Sequence, residues 1–330
     1  MNGLDRSLQS IIDPDLQAQW MAGTSKKALL AQLFATQVDN GVMPRAQING
    51  ISRLDSFHAD GMQFCLQRNY GRVTRGVSDQ VHPAPPYSIP FRGGMPCFCC
   101  PEVISYQWPN ERGIYAEVGG KPLVILPNIS PIFVPHFTVI SPEHRPQLMD
   151  CNIAVALAAM VPGAWVIQNG QDAGATNPWH YHLQLFFADD LPLVHCPIEN
   201  GGDAIGVLHH PTLIVRISAP DPALFEAQLS DFVAEYLNLG ETRRVNLLIR
   251  EGAGLWTGYV VLRDTRFRTD LYRSGQPGYA EPAGIISAVD DASYDIWASE
   301  NVRRYHRLMT DIRPIDAETV DFIQALLAPS

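Results

Sequence analysis

The sequence predicts an α+β fold, and two observations carry that reading. A succession of strand, helix, strand and strand can be traced between residues 132 and 187, and it recurs in looser form between 212 and 262. Its second helix brings its own boundary signals: Asp221 stands as N-cap, Pro222 at the first helical position, and Gly240 as the stop. At 330 residues with 46% hydrophobic side chains, the chain can fill the core of one large domain or of two ordinary ones.

Taken in order, residues 1–50 read as a helical extension. Leu29, Leu30, Leu33, Phe34 and Val38 recur at helical spacing and the pattern ends near Asn40-Gly41. From 51 to 75 the alternation around Phe64 and Leu66 predicts a strand or hairpin with a basic exit, where Arg68 and Arg72 are candidate anion contacts. Five prolines between 83 and 96 exclude a helix there. The chain has six cysteines, and Cys97, Cys99 and Cys100 lie within four residues. Such crowding suits a metal or a redox site rather than a disulfide framework, and Cys97 and Cys100 have the spacing that lets two thiolates reach one ion.

Strands are expected at 122–126 and 132–140. Ser141 then offers an N-cap before a helix at 147–160 whose Leu148, Ala154, Val155 and Leu157 face the sheet, with Pro162-Gly163 as its stop. A strand at 164–168 leads into the central motif. Beyond it, 189–211 reads as an irregular excursion. Strands at 212–217, 244–250 and 256–262 and helices at 222–238, 291–307 and 315–327 complete the chain. The expected organisation is a helical extension (1–50), a catalytic half (51–190) and a second α+β half (191–330).

Chemistry concentrates in residues 169–187, NGQDAGATNPWHYHLQLFF. The run begins small and turn-rich, then alternates. On a strand, His180, His182 and Gln184 share one face at about 6–7 Å intervals, while Tyr181, Leu183 and Leu185 point into a core. Three hydrogen-bonding side chains beside a glycine-bearing loop can hold a phosphate or a metal. A net charge of −10 argues against non-specific attraction to nucleic acid or to an anionic membrane. No apolar run reaches the ~20 residues of a membrane span and no signal-peptide pattern opens the sequence, so a cytoplasmic protein without membrane or nucleic-acid partners is expected.

With its loop from Asn169 through Gly174, Ala175, Thr176, Asn177 and Pro178, the His180-Tyr181-His182-Leu183-Gln184 run resembles the active-site signature of the histidine-triad superfamily. The nearest likeness is to the branch of galactose-1-phosphate uridylyltransferases, diadenosine tetraphosphate phosphorylases and GDP-hexose phosphorylases. HFTVISPEHRPQ and CFCCPE add to it. The pattern departs from the uridylyltransferases at Pro178-Trp179 and at Tyr181. The resemblance implies a histidine-triad-like antiparallel sheet with flanking helices, in two loosely duplicated α+β halves.

It also implies roles. His182 matches the nucleophile that carries a nucleotidyl group. Gln184 matches a side chain that hydrogen-bonds a phosphoryl oxygen or the surroundings of the nucleophile, Thr176 matches a phosphate contact, and Asn169 matches the brace of the loop. Cys97, Cys100, His144 and His180 match a structural zinc site, with no organic cofactor. Gly174, Ala175 and Asn177 belong to a loop that would cradle phosphate, Lys121 joins Arg68 and Arg72 as a candidate phosphate contact, and Asn128 is a candidate for ribose or phosphate. The expected function is that of a nucleotidyltransferase or phosphorylase acting on a nucleotide sugar or dinucleoside polyphosphate, with phosphate or a sugar phosphate as acceptor, in a chain that can pair as a homodimer. The alternatives are hydrolysis through the same histidine and nucleotide binding without catalysis.

Overall fold

Asp221 accepts a hydrogen bond from the Leu224 N–H at 2.8 Å, so the helix that follows starts at its predicted residue. The computed structural model describes residues 6–51, 54–59, 62–70, 97–175, 177–271 and 276–327. Four helices lead: α1 (Arg6–Ser10), α2 (Pro14–Met21), α3 (Lys26–Asp39) and α4 (Arg45–Ile51). A hairpin of β1 (Leu54–Ala59) and β2 (Met62–Arg68) precedes α5 (Pro101–Gln107). Then come β3 (Ile114–Val118), β4 (Lys121–Pro127), β5 (His136–Ile140), α6 (Cys151–Met160), β6 (Trp165–Asn169) and β7 (His182–Phe186). The same kinds of element follow as β8 (Ile198–Gly201), β9 (Ile205–Leu208), β10 (Ile214–Ala219), α7 (Pro222–Asn238), β11 (Arg243–Gly252) and β12 (Leu255–Asp264). β13 (Ile285–Ala288), α8 (Asp291–Asp311) and α9 (Ala317–Leu327) close the described chain.

Among the described residues, ten strands form one antiparallel sheet in the order β3-β4-β5-β7-β6-β11-β12-β10-β9-β8. From either edge to the centre the strands enter in the same succession, three in chain order and then a reversed pair. β6 and β11 meet at the centre. A second, smaller sheet has the order β1-β2-β13, with β13 parallel to β2. The fold is thus α+β with antiparallel pairing throughout the large sheet.

Register decides which face each side chain takes. His182 lies opposite Ile140, Gln184 opposite both Thr138 and Ile167, and Asn169 opposite Asn246, so these side chains share a face. The other face carries Leu123, Ile125, Val139, Leu183, Leu185, Leu247 and Val260 and is sealed by α6 and α7 through Ala154, Leu157, Phe225 and Leu229. Tyr181, Leu183 and Leu185 are buried there, as the alternation predicts. On the histidine-bearing face, Ile167 and Phe186 pack against Cys65 of β2, Ile285 of β13 and Tyr279. The helices therefore leave that face open to chemistry.

Three expectations needed revision. Residues 189–211, expected as an irregular excursion, carry β8 and β9, which pair with each other and, through β9, with β10. The helix predicted at 147–160 begins only at Cys151, because Asp150 caps it through the Ile153 N–H at 3.2 Å, while ahead of it the Leu148 N–H turns back to the Pro146 carbonyl at 2.9 Å. Leu148, expected against the sheet, is consequently 65% exposed. The strand expected at 132–140 begins at His136, since Ile132 N–H turns back to the His136 ring at 3.0 Å instead of joining the ladder.

The C-terminal helix is held by a buried ion cluster. Arg243, 1% exposed, donates to Asp264 at 2.8 Å, to Asp316 at 2.7 Å and to Glu318 at 2.8 Å. Hydrogen bonding from Arg243 holds the Asp316 carboxyl well below the usual carboxylate range. A carboxyl depressed in the folded state stabilises above its unfolded pKa and loses that contribution as the pH falls. Arg243→Ala is expected to cost about 3 kcal/mol by removing the buried cation that Asp264, Asp316 and Glu318 share, with Arg266 left as the guanidinium on the buried Asp264. Thermal melts should show this drop at pH 7, and a shallower loss of stability below about pH 4 than in the unsubstituted chain.

Candidate active site and metal-ligand cluster

The loop after β6 is braced from beneath. Asn169 Oδ1 accepts from Asn246 Nδ2 at 2.8 Å, and the same Nδ2 reaches the Ala173 carbonyl. Asn246 Oδ1 in turn accepts from the fully buried Arg263 guanidinium at 3.1 Å, which also donates to the Pro277 carbonyl at 2.7 Å. Gly174 has φ +92° and lies against the turn at Pro277-Gly278, where a Cβ would come within 2.3 Å of the Gly278 Cα. Only glycine fits that contact.

His182 is held both through its backbone and through its ring. The carboxamide of Gln147 takes the place of a neighbouring strand: its Oε1 accepts the His182 N–H at 2.7 Å, and its Nε2 donates to the His182 carbonyl at 2.8 Å and to the Asn169 carbonyl at 3.0 Å. His182 Nδ1 lies 2.8 Å from the His180 carbonyl oxygen. A carbonyl can only accept, so Nδ1 carries the proton and Nε2 carries the lone pair. The ring is 6% exposed.

Gln184 follows on the same face. His136 Nδ1 accepts the Ile132 N–H, which puts the His136 proton on Nε2, and that proton is donated to Gln184 Oε1 at 2.8 Å. The hydroxyl of Tyr279 donates to the same oxygen at 3.0 Å. With Oε1 committed twice, the Gln184 amide presents its NH2 group on its other side.

Cys97, Cys100, His144 and His180 bring their ligand atoms within 4.8 Å of one another. His180 Nδ1 lies 3.4 Å from Cys97 Sγ and 3.6 Å from Cys100 Sγ, and His144 Nδ1 lies 3.3 Å from Cys100 Sγ. Zinc bonds of about 2.3 Å to sulfur and about 2.0 Å to nitrogen give a tetrahedral S···N edge of about 3.5 Å, close to these separations. The tautomer fits as well. His180 Nε2–H donates to the Ser141 carbonyl at 2.8 Å, leaving the Nδ1 lone pair toward the sulfurs. The Cys100 thiol, as hydrogen-bond donor, lowers the pKa of Cys97 despite its burial, and His180 and the Asn177 amide, 3.2 Å from Cys97 Sγ, add to the effect. Two thiols and two imidazoles in this arrangement can coordinate a metal ion, and the donor set matches a closed structural zinc site.

Other predicted residues are placed elsewhere. Asn177, expected to face phosphate, turns its amide to Cys97 and its oxygen to the Trp179 N–H. Lys121 is exposed and shares its strand face with Leu123, opposite the face of His182. Asn128 accepts the Ser130 N–H at 2.9 Å and shapes the turn after β4. Arg68 stacks over the Tyr294 ring at 3.5 Å and pairs with Asp55 at 3.6 Å. Ala175 is half-buried in the loop beside Gly174. Thr176 and Arg72 lie outside the described residues. Asn246 and Tyr279, without a sequence signal, belong to the site, as does Gln147, the last residue of the HFTVISPEHRPQ stretch.

Residues 47–186 match a family model described as a domain of unknown function (DUF4922), a span of less than half the chain. No curated protein matches the sequence. Among solved structures, yeast Ap4A phosphorylase Apa2 in complex with AMP superposes with a TM-score of 0.56 at 13% identity, covering 93% of this chain and 99% of that one. The same yeast enzyme in complex with Ap4A gives 0.53 at 13% identity, over 88% and 97%. The likeness is one of fold. Among the described residues, no helix is long and apolar enough to cross a membrane.

Elemental analysis of protein purified without chelator is expected to find about one zinc per chain, and Cys100→Ser to lose most of it. Metal-free wild-type protein would contradict the site.

Proposed function

We propose that the chain is a nucleotidyltransferase or phosphorylase whose His182 accepts a nucleotidyl group from a nucleotide sugar or a dinucleoside polyphosphate. One observation carries the reading: the His180 carbonyl holds the Nδ1 proton of His182, which sets Nε2 as the nucleophilic nitrogen. Gln184 stands two residues along the same face. The fold shared with a yeast protein solved with AMP and with Ap4A supports a nucleotide as the ligand.

In the first step Nε2 attacks the α-phosphorus. An N–P bond forms as the P–O bond to the leaving group breaks, and that oxygen departs with the electron pair. In the second step an oxygen of phosphate or of a sugar phosphate attacks the same phosphorus, and the N–P electron pair returns to Nε2. Through both steps Nδ1–H stays on the His180 carbonyl, whose partial negative charge stabilises the positive ring of the intermediate. The Gln184 NH2 group donates to a phosphoryl oxygen, and Thr176 and the backbone of 170–175 are proposed as further phosphate contacts. Bound zinc would supply a rigid tetrahedral anchor for Cys97, Cys100, His144 and His180, and its part ends there. The matching succession of strands from the two sheet edges supports reading the halves as a loose duplication, with the histidines in the first half only.

Incubation with nucleoside diphosphate hexoses and dinucleoside tetraphosphates labelled at the α-phosphorus, with and without phosphate, tests the proposal. Acid-labile label on His182 is expected, with transfer to added phosphate. His182→Ala should lose turnover by ~10³-fold or more. Full activity in that variant would overturn the assignment, and products indifferent to added phosphate would point to water as the acceptor.

A further inference from the structure

Tyr279 is 95 residues from Gln184 in sequence, yet its hydroxyl reaches Gln184 Oε1 at 3.0 Å. It is 2% exposed, and its ring stacks on Phe186 with an interplanar angle of 18°. The turn that carries it is anchored from several sides. Arg263 donates to the Pro277 carbonyl at 2.7 Å, and Glu281 accepts the Gly278 N–H at 2.9 Å. The Glu281 carbonyl accepts the Tyr305 hydroxyl at 2.9 Å. The turn also touches the loop before the histidines: a Cβ at Gly278 would sit 3.0 Å from the Asn169 carboxamide nitrogen, and Gly174 lies against the Gly278 backbone. One tight turn from the second half of the chain therefore contacts the loop and the glutamine together.

A carboxamide has two nearly isosteric orientations, and only its hydrogen-bond partners distinguish them. Beside Gln184, both His136 Nε2–H and the Tyr279 hydroxyl can donate. The reversed amide would set its own NH2 against the His136 N–H, donor against donor, and leave a buried donor unsatisfied. Tyr279 adds a second hydrogen bond to the correct orientation, and the stacking of its ring on Phe186 holds the hydroxyl in place.

We infer that Tyr279 is a positioning residue of this site, fixing the Gln184 carboxamide with its NH2 toward the phosphoryl group and so carrying a contribution of the second half of the chain into the chemistry of the first. The inference rests on the proposed role of Gln184 as a donor to phosphate. The hydroxyl adds nothing to substrate contact itself; it acts by holding the donor where the transition state needs it.

The test combines kinetics with an independent view of the amide. Tyr279→Phe keeps the stacked ring and removes only the hydroxyl, and is expected to lower kcat by roughly five- to twenty-fold with KM little changed. In a Gln184→Ala background the same substitution should have almost no further effect, since Tyr279 acts through Gln184. Equal losses in both backgrounds would overturn the inference in favour of a packing role. Independently of any turnover, the side-chain NH2 signals of Gln184 in 15N-labelled protein, identified by their loss in Gln184→Ala, should shift in Tyr279→Phe while the backbone spectrum and melting temperature hold. Unmoved signals would sink the positioning role even in a protein found inactive. Shifted signals in a protein without nucleotide turnover would support the orientation and discard the reaction instead.

Discussion

His180 ties the two chemistries of this protein together within a single residue. Its ring gives one nitrogen to the Ser141 carbonyl and directs the other at two thiols. Its backbone carbonyl holds the ring of His182. Anything that fixes His180 therefore fixes the orientation and tautomer of His182. A metal ion held there would act on the His182 imidazole through geometry alone, by fixing the two planar peptide units that join His180 to His182.

The surrounding chain secures the same point with side chains standing in for backbone. β7 begins only at His182, and before it the ladder is continued by isolated contacts: Tyr181 N–H to the Arg145 carbonyl at 2.7 Å, and Ser141 N–H to the Tyr181 carbonyl at 3.0 Å. Gln147 then pairs with both backbone groups of His182, as a strand would. A helix through 147–150 would remove this support, so the late start of α6 is a condition of the site. Beneath it, the chain from Arg263 through Asn246 to Asn169 joins the central strands to the loop without exposing a charge.

Local physics made much of this readable in advance. Caps placed the helix at Pro222–Asn238, and period-two alternation separated His182 and Gln184 from Leu183 and Leu185. Two cysteines at ion-sharing spacing, with His144 and His180 drawn in by the family likeness, came together as expected. What could not be read depends on register and on long-range topology. Lys121 misses the face of His182 because its strand parity is set by pairing with β5, which its own sequence does not encode. Asn177 faces a sulfur rather than a ligand because the cysteine segment folds under the loop. Tyr279 and Asn246 enter from the second half, whose approach to β6 is a property of the whole sheet.

A nucleophilic His182 requires its proton on Nδ1. Two-bond 15N–1H correlation spectra of the histidine rings at neutral pH, with His182 identified by its loss in His182→Ala, read that tautomer directly. The proton is expected on Nδ1, with Nε2 showing the shift of an unprotonated nitrogen. A proton on Nε2 would contradict the nucleophile assignment and the role of the His180 carbonyl with it.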